Sequence, residues 1–227
     1  MNRRALFLPG TGGRGSFWQP VVDRLRGVDA ALLDWPGLGD VPTTPSVAGF
    51  DDLVGLVIDQ LDRPGALVGQ SMGGYVAARV ALERPDLVTH LVLAVTSAGI
   101  DRRALGLPDW RPTWAPGDHG SPWVADVQPT LDDVLPTVTI PTLLLWADAD
   151  EISPLPVGER LRSLLPDSEL VVYESDDHWV VLEQVADVAR RIQNHLLRER
   201  AAAGGASVPL PVGRSHEQRR STSTPAG

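Results

Sequence analysis

The chain contains no cysteine. This absence excludes a disulfide scaffold, a thiolate nucleophile and any metal site that depends on cysteine ligands. It is compatible with the cytosol, and we expect a cytoplasmic protein. Lysine is absent as well: all 20 basic residues are arginine, which we attribute to the codon bias of a GC-rich genome and not to function.

Positive charge is scarce, and long apolar runs are missing. The 20 arginines face 29 acidic residues, which gives a formal net charge of −9. Nucleic acids and anionic membrane surfaces attract positively charged proteins, so we expect neither as a partner. No apolar stretch approaches the roughly 20 residues of a membrane-spanning helix, so we expect no membrane span.

The chain does contain an alternation of short apolar runs and amphipathic stretches. Continuous apolar runs are typical of parallel strands that are buried on both faces of a sheet. The predicted strands are Ala5–Pro9, Ala30–Asp34, Ala66–Gly69, Leu91–Val95, Thr142–Trp146 and Glu169–Tyr173. The predicted helices are Phe17–Leu25, Ser46–Leu61 with Ser46 as N-cap, Gly73–Glu83, Leu155–Leu165 and Val181–Arg200. This alternation predicts one α/β domain over residues 1–200.

Two segments interrupt the alternation. Residues 100–136 are rich in Pro, Asp and Trp and have weak periodicity, so we expect a short cap or lid insertion. Residues 201–227 are rich in Ala, Gly, Ser and Pro and have no apolar face, so we expect a disordered tail.

A nucleophile-elbow pattern, Gly-x-Ser-x-Gly, extends from Gly69 to Gly73. By itself this pattern is weak, because Gly and Ser are common in turns. Here it joins a predicted buried strand to a predicted helix, so Ser71 lies at a sharp turn that requires small neighbours. We therefore predict that Ser71 is a catalytic nucleophile.

A serine hydroxyl needs a base to become an effective nucleophile near neutral pH. Of five histidines, His178 follows the last predicted strand, which places it at the same edge of the sheet as Ser71. His119, in the irregular segment, is the reserve candidate.

The base in turn needs an acid that fixes its tautomer and stabilises its charged form. Three acidic residues follow the strand Thr142–Trp146, and on residue type alone they compete: Asp148, Asp150 and Glu151. Each lies between the serine and the histidine, as expected for the chain order Ser, Asp, His.

The negative charge that develops on a carbonyl oxygen needs backbone N–H donors. One belongs to Met72, directly after the nucleophile. The other is expected in the Gly-rich loop after the first strand, at Thr11 or Gly12. This loop matches neither of the phosphate-binding patterns G-x-x-x-x-G-K-[ST] and G-x-G-x-x-G.

Together these segments resemble the α/β-hydrolase superfamily over about residues 4–198. The resemblance rests on L-F-L-P-G-T-G-G at 6–13, D-W-P-G-L-G at 34–39, the elbow at 69–74 and D-H-W at 177–179. The run P-T-L-L-L-W at 141–146, followed by Asp150-x-Ile152-x-Pro154, resembles the acid-bearing segment and favours Asp150 over Asp148. The chain has Pro9-Gly10 where many members have His-Gly. It also lacks the family's first two strands, which implies a mostly parallel sheet of about six strands flanked by helices.

The resemblance implies a serine hydrolase that cleaves a carboxylic ester or thioester of a small acyl substrate through an acyl-enzyme intermediate. It implies no metal and no organic cofactor. The alternatives are acyl transfer, carbon–carbon cleavage or perhydrolysis at the same residues, or a ligand-binding protein on the same scaffold.

Aromatic and basic side chains near these segments are candidates for a substrate pocket. We predict pocket-lining roles for Trp18, Trp110, Trp114, Trp123 and Trp179, with core or lid packing as the alternative for each. Arg102 and Arg103 are interpreted as a solvated pair, with contact to an anionic substrate as the alternative. The sequence assigns no oligomeric state.

Overall fold

The structure is a computed structural model that describes residues 3–113 and 121–198. Within these residues one sheet contains six strands in the order β2-β1-β3-β4-β5-β6, and all neighbouring strands are parallel. The strands are β1 Arg3–Leu8, β2 Val28–Leu32, β3 Gly65–Gln70, β4 Val88–Ala94, β5 Thr142–Ala147 and β6 Ser168–Tyr173. The predicted fold class and strand number are confirmed.

Burial along the strands explains why apolar runs in the sequence predicted them. Every residue of β3 and of β5 is buried, in agreement with their continuous apolar runs. By contrast, β6 lies at an edge of the sheet, and only some of its residues are buried. Central strands of a parallel sheet are covered on both faces and therefore read as uninterrupted apolar segments.

Six helices flank the sheet in the described residues. They are α1 Gln19–Val22, α2 Phe50–Gln60, α3 Met72–Glu83, α4 Leu155–Leu164, α5 Val180–Glu183 and α6 Val185–Leu197. A short 3₁₀ turn, Gly15–Trp18, precedes α1. In the described residues, no helix combines the length and apolar character that crossing a membrane would require.

Three details of the helix prediction are wrong. The first predicted helix, Phe17–Leu25, is divided between the 3₁₀ turn Gly15–Trp18 and the short helix α1, which ends at Val22. The helix α2 begins at Phe50 with Gly49 as N-cap, and the Ser46 hydroxyl instead shares a hydrogen bond with the Thr44 hydroxyl at 2.9 Å. The last predicted helix is divided into α5 and α6, because Gln184 has non-helical backbone angles, with φ −105° and ψ 29°.

The two faces of the sheet carry separate apolar cores. Alternate strand residues point to opposite faces, so Leu6 and Leu8 belong to one core and Ala5 and Phe7 to the other. The first core is completed by α2, α3 and α4, and the second by α1, α5 and α6.

Because all strands are parallel, their carboxyl ends lie at one edge, and the loops after β1, β3, β5 and β6 emerge together there. Between β4 and β5 the described residues include short 3₁₀ helices at Arg111–Thr113, Pro122–Ala125 and Leu135–Thr137. Residues 201–227, for which a disordered tail was predicted, lie outside the described residues.

Candidate active site

Ser71 occupies the turn between β3 and α3. Its backbone has φ 53° and ψ −120°, in the left-handed region that non-glycine residues rarely adopt. Its N–H donates to the carbonyl of Ala94 at 2.9 Å, which ties the turn to the end of β4. Such strained backbone persists where the surrounding structure holds it, and it is concentrated at functional sites.

The glycine at position 73 is required by close packing against the loop after β1. A Cβ atom there would lie 2.5 Å from the carbonyl oxygens of Leu8 and Pro9. These are backbone atoms that cannot rotate away, so a larger residue would displace the turn or the loop. The small neighbours predicted for Ser71 therefore have a direct steric reason.

His178 lies between β6 and α5, and its imidazole meets the carboxylate of Asp150, which follows β5. The distance from Nδ1 of His178 to Oδ2 of Asp150 is 2.7 Å, and both residues are buried. The other oxygen, Oδ1, accepts the backbone N–H groups of Ile152 at 2.8 Å and Ser153 at 3.0 Å. The carboxylate is thus fixed on both sides.

Two opposing effects set the ionisation of Asp150. Burial raises the pKa of its carboxyl, but the hydrogen bond and charge of His178, with the two backbone N–H groups, lower the pKa below its usual value. Asp150 is therefore a carboxylate at neutral pH, where it can accept the Nδ1 proton of the imidazole.

Asp148, the competing acid, lies on the same loop but is exposed. Its Oδ1 atom accepts the backbone N–H of Ser175 at 2.9 Å, so it connects the loop after β5 to the loop after β6. The structure pairs His178 with Asp150, and it gives Asp148 a different partner.

Ser71 and His178 line the same cavity, which has a volume of about 540 Å³. Met72 and Thr11, the two predicted oxyanion donors, line it as well, whereas Gly12 does not. Its apolar wall includes Phe50, Tyr75, Val95, Ile100, Trp110 and Val124. The cavity therefore joins the candidate nucleophile and base to a surface that can hold an apolar group.

The loop after β1 lies directly against the nucleophile. The turn closes with a hydrogen bond from the N–H of Gly13 to the carbonyl of Gly10 at 3.2 Å. A Cβ atom on Gly10 would lie 3.2 Å from Cβ of Ser71 and 2.5 Å from Oε1 of Gln70. Glycine at position 10 thus allows the loop to approach Ser71 closely.

Two buried indoles, those of Trp18 and Trp35, bind the start of this loop, and we call this pair of side chains the indole brace. Nε1 of Trp18 donates to the carbonyl of Leu8 at 3.0 Å, and Nε1 of Trp35 donates to that of Pro9 at 2.7 Å. The two rings belong to the cores on opposite faces of the sheet. The prediction that Trp18 lines the pocket is therefore wrong, since the ring is fully buried and holds the loop from behind.

Of the other tryptophans predicted to line the pocket, two do so and one does not. Trp110 and Trp179 line the cavity. Trp123 is not among its lining residues, and its ring packs edge-on against Phe50 with 5.4 Å between the ring centres, so that prediction is wrong. Trp114 and the reserve base His119 lie outside the described residues.

Gln70, for which no role was predicted from the sequence, is a buried polar residue of the cavity wall. Its side chain is fully buried, and among the described residues neither Nε2 nor Oε1 has a hydrogen-bond partner. A polar residue at the end of the otherwise apolar strand β3 was the available signal. Among the described residues, no group of three His, Asp or Glu side chains is arranged to hold a metal ion.

Comparison with curated proteins identifies relatives over most of the chain. A hydrolase of 2-hydroxy-6-oxononadienedioate and 2-hydroxy-6-oxononatrienedioate from Pseudomonas sp is 24% identical, over 84% of this chain and 85% of the relative. The pimeloyl-[acyl-carrier protein] methyl ester esterase of Vibrio vulnificus strain CMCP6 is 25% identical, over 76% and 86%.

Solved structures with the same fold include two esterases. The thermophilic esterase from Thermogutta terrifontis is 25% identical, with a TM-score of 0.69 over 86% of this chain and 90% of that chain. The esterase from Exiguobacterium antarcticum has a TM-score of 0.72 at 19% identity, over 86% and 92%, and shows the fold alone.

The model of the alpha/beta hydrolase family matches residues 5–191, which include all six strands except the first two residues of β1, and all three candidate catalytic residues. The family resemblance predicted from the sequence is confirmed: the chain belongs to the alpha/beta hydrolase family.

Proposed function

We propose that the protein is a serine hydrolase that cleaves a carboxylic ester or thioester through an acyl-enzyme intermediate. Ser71 is the nucleophile, His178 the general base and Asp150 the acid that orients it. The observation that carries the proposal is the 2.7 Å contact between buried His178 and Asp150, at the sheet edge where strained Ser71 lines the same cavity.

The arrangement supports a defined path for the proton. With its Nδ1–H donated to the Asp150 carboxylate, the imidazole of His178 leaves Nε2 unprotonated and able to accept the Ser71 hydroxyl proton. Ser71 Oγ then bonds to the carbonyl carbon, and the protonated imidazole gives its proton to the departing alcohol or thiol. Water, deprotonated by the same imidazole, attacks the acyl-enzyme and releases the acid and Ser71.

The oxyanion of each tetrahedral intermediate is held by the N–H groups of Met72 and Thr11. Met72 is the first residue of α3, so its N–H lies at the helix end that carries partial positive charge. Among the hydrogen bonds of the described residues, none uses the N–H of Met72 or of Thr11. Both are therefore available for a developing negative charge.

The activities for which two similar proteins are named agree with this proposal. The Vibrio vulnificus relative is named for hydrolysis of a methyl ester, and the structural neighbour from Thermogutta terrifontis is an esterase. The same acyl chemistry carried out by Ser71 and His178 would apply to a small ester substrate of this chain.

The direct test is labelling with a fluorophosphonate probe, which reacts with an activated serine. We expect the wild-type protein to be labelled and Ser71→Ala to remain unlabelled. Hydrolysis of a p-nitrophenyl acyl ester should be lost in His178→Ala. A folded wild-type protein that resists the probe, or equal labelling of Ser71→Ala, would show that Ser71 is not an activated nucleophile.

A further inference from the structure

Three arginines line the cavity, and they differ in their ion pairs. Arg111 pairs with Asp109 at 2.8 Å, and Arg103 lies 3.9 Å from the same carboxylate. Arg102 forms no ion pair among the described residues. Its guanidinium donates only to backbone carbonyls, from Nε to Pro108 at 3.2 Å and from Nη1 to Ile152 at 2.8 Å.

The guanidinium of Arg102 is held in place by these two bonds but does not use all of its N–H donors in them. A guanidinium has five N–H donors, and the two bonds formed within the described part of the chain leave the Nη2 amino group and one Nη1 hydrogen for a planar anion. Burial lowers the pKa of Arg102 by more than the carboxylates of Asp109 and Asp150 raise it, yet the group stays charged at neutral pH. A partly buried, charged group gains from an anionic partner because the surrounding dielectric is low.

The acidic side chains of the same wall do not compensate Arg102. Asp109 is held by Arg111, and Oδ1 of Asp101 accepts the backbone N–H of Arg103 at 3.0 Å. Asp126 is exposed. Among the described residues that line the cavity, Arg102 is therefore the one positive group without a carboxylate partner, and its contact with Ile152 places it beside the loop that carries Asp150.

The lining of the cavity indicates the chemistry of a matching ligand. It combines the candidate nucleophile and base, Ser71 and His178, with the guanidinium of Arg102 and an apolar wall that includes Phe50 and Val124. A matching ligand has a scissile acyl group, an apolar chain and a terminal carboxylate.

We propose that Arg102 is an anion-binding, specificity-determining residue that receives the terminal carboxylate of the acyl group. The preferred substrates are then half-esters or half-thioesters of dicarboxylic acids. This inference rests on the proposed ester hydrolysis and narrows its substrate class.

The test compares mono-p-nitrophenyl esters of succinic, adipic and suberic acid with uncharged n-alkanoyl esters of matched length, at neutral pH. The readout is the ratio of kcat/KM for the charged ester to that for its neutral match. In the wild type this ratio should exceed one for at least one chain length. In Arg102→Gln it should fall about 10- to 100-fold, the amount that a hydrogen bond to a charged group contributes.

The matched control is Arg103→Gln, which removes the same charge from a neighbouring side chain that is 82% exposed. It should change the ratio by less than about threefold, because an exposed charge is screened by solvent. Arg102→Lys keeps the charge but loses the planar fork, so it should restore part of the ratio.

A purely structural role of Arg102 gives a different result. Arg102 also holds the carbonyl of Ile152, whose N–H binds Asp150, so its loss could slow all substrates through the acid loop. An equal decrease for charged and neutral esters would overturn the proposed subsite, and so would a wild-type ratio of one at every length.

Binding measured without turnover separates this inference from the proposed function. Monomethyl adipate should bind Ser71→Ala in a calorimeter about tenfold more tightly than it binds Ser71→Ala with Arg102→Gln. Equal affinities would overturn the subsite even if ester hydrolysis is found. Binding that depends on Arg102 in a protein whose wild type hydrolyses no ester would support the subsite and reject the hydrolase.

Discussion

Asp148 and Asp150 are two residues apart on one loop, yet their carboxylates have different partners. Asp150 is buried against His178, whereas Asp148 is exposed and binds the backbone N–H of Ser175. The same substitution, Asp to Asn, therefore has different consequences at the two positions.

Asp150→Asn should lower kcat for a p-nitrophenyl acyl ester by about a thousandfold or more, because the amide neither holds the required imidazole tautomer nor stabilises its charged form. In Asp148→Asn the side-chain oxygen can still accept the N–H of Ser175, so we expect a change of less than about threefold. Comparable losses in both variants, or the opposite ranking, would transfer the role of the acid away from Asp150.

The choice between these residues shows where sequence reasoning reached its limit. Ser71 and His178 could be placed because each adjoins a recognisable strand end. Residue types alone left Asp148 and Asp150 open, since the choice depends on the path of the loop, and only the family resemblance favoured Asp150. Trp18 and Trp123 were misplaced because an indole in the sequence does not reveal whether its ring faces a cavity or a core.

At the scale of helices and strands, the prediction of the central strands succeeded because strands buried on both faces, such as β3 and β5, are apolar nearly throughout. Helix ends were harder to predict. Ser46 has the chemistry of an N-cap, but its hydroxyl bonds to Thr44 and α2 begins four residues later. The break at Gln184 lies within a continuous amphipathic stretch, so the periodicity of the sequence predicted one uninterrupted helix there.

Two helices allow a matched glycine test. Gly55 in α2 has no atom within 4 Å of the Cβ position, whereas a Cβ on Gly73 in α3 would lie 2.5 Å from two backbone oxygens. Gly55→Ala should raise the free energy of unfolding by about 0.5–1 kcal/mol through helix propensity. Gly73→Ala should lower it by about 1–3 kcal/mol through overpacking.

Urea unfolding of both variants and the wild type measures these effects. The Gly73→Ala variant should also lose esterase activity, since the displaced atoms belong to the elbow and the oxyanion loop. A Gly73→Ala protein with wild-type stability and activity would contradict the packing described for this turn.

At the scale of the whole molecule, a buried histidine links stability to pH. His195 on α6 lies beside His90 on β4, with 5.3 Å between the ring centres, and it contacts the carbonyl of Pro141 at 3.2 Å. Burial, followed by the nearby charges of His90 and Arg198, lowers the pKa of His195 to about 4. Its ordinary value is about 6.5.

The sign of the effect follows from proton binding. Between about pH 6.5 and 4 the unfolded chain binds a proton at His195 that the folded chain excludes. The stabilisation is therefore fully present above about pH 6.5 and is lost as the pH falls toward 4. From pH 7 to pH 5 this one group should lower the free energy of unfolding by about 2 kcal/mol.

The variant His195→Gln isolates this contribution, because glutamine can still donate to the carbonyl of Pro141 but does not titrate. Urea unfolding at pH 7 and pH 5 should give a pH-dependent loss about 2 kcal/mol smaller in the variant than in the wild type. Equal losses in the two proteins would show that His195 accepts its proton equally well in the folded chain.

The indole brace has a consequence for protein engineering. Trp18 and Trp35 hold the carbonyls of Leu8 and Pro9 from opposite faces of the sheet, so the anchoring of the oxyanion loop does not depend on the side chain at position 9. Position 10 is closed to side chains by Gln70 and Ser71, but Gly12 has no atom within 4 Å of its Cβ position. A mutant library at position 12 would therefore introduce side chains directly beside Thr11, on a loop whose attachment to the indole brace stays constant.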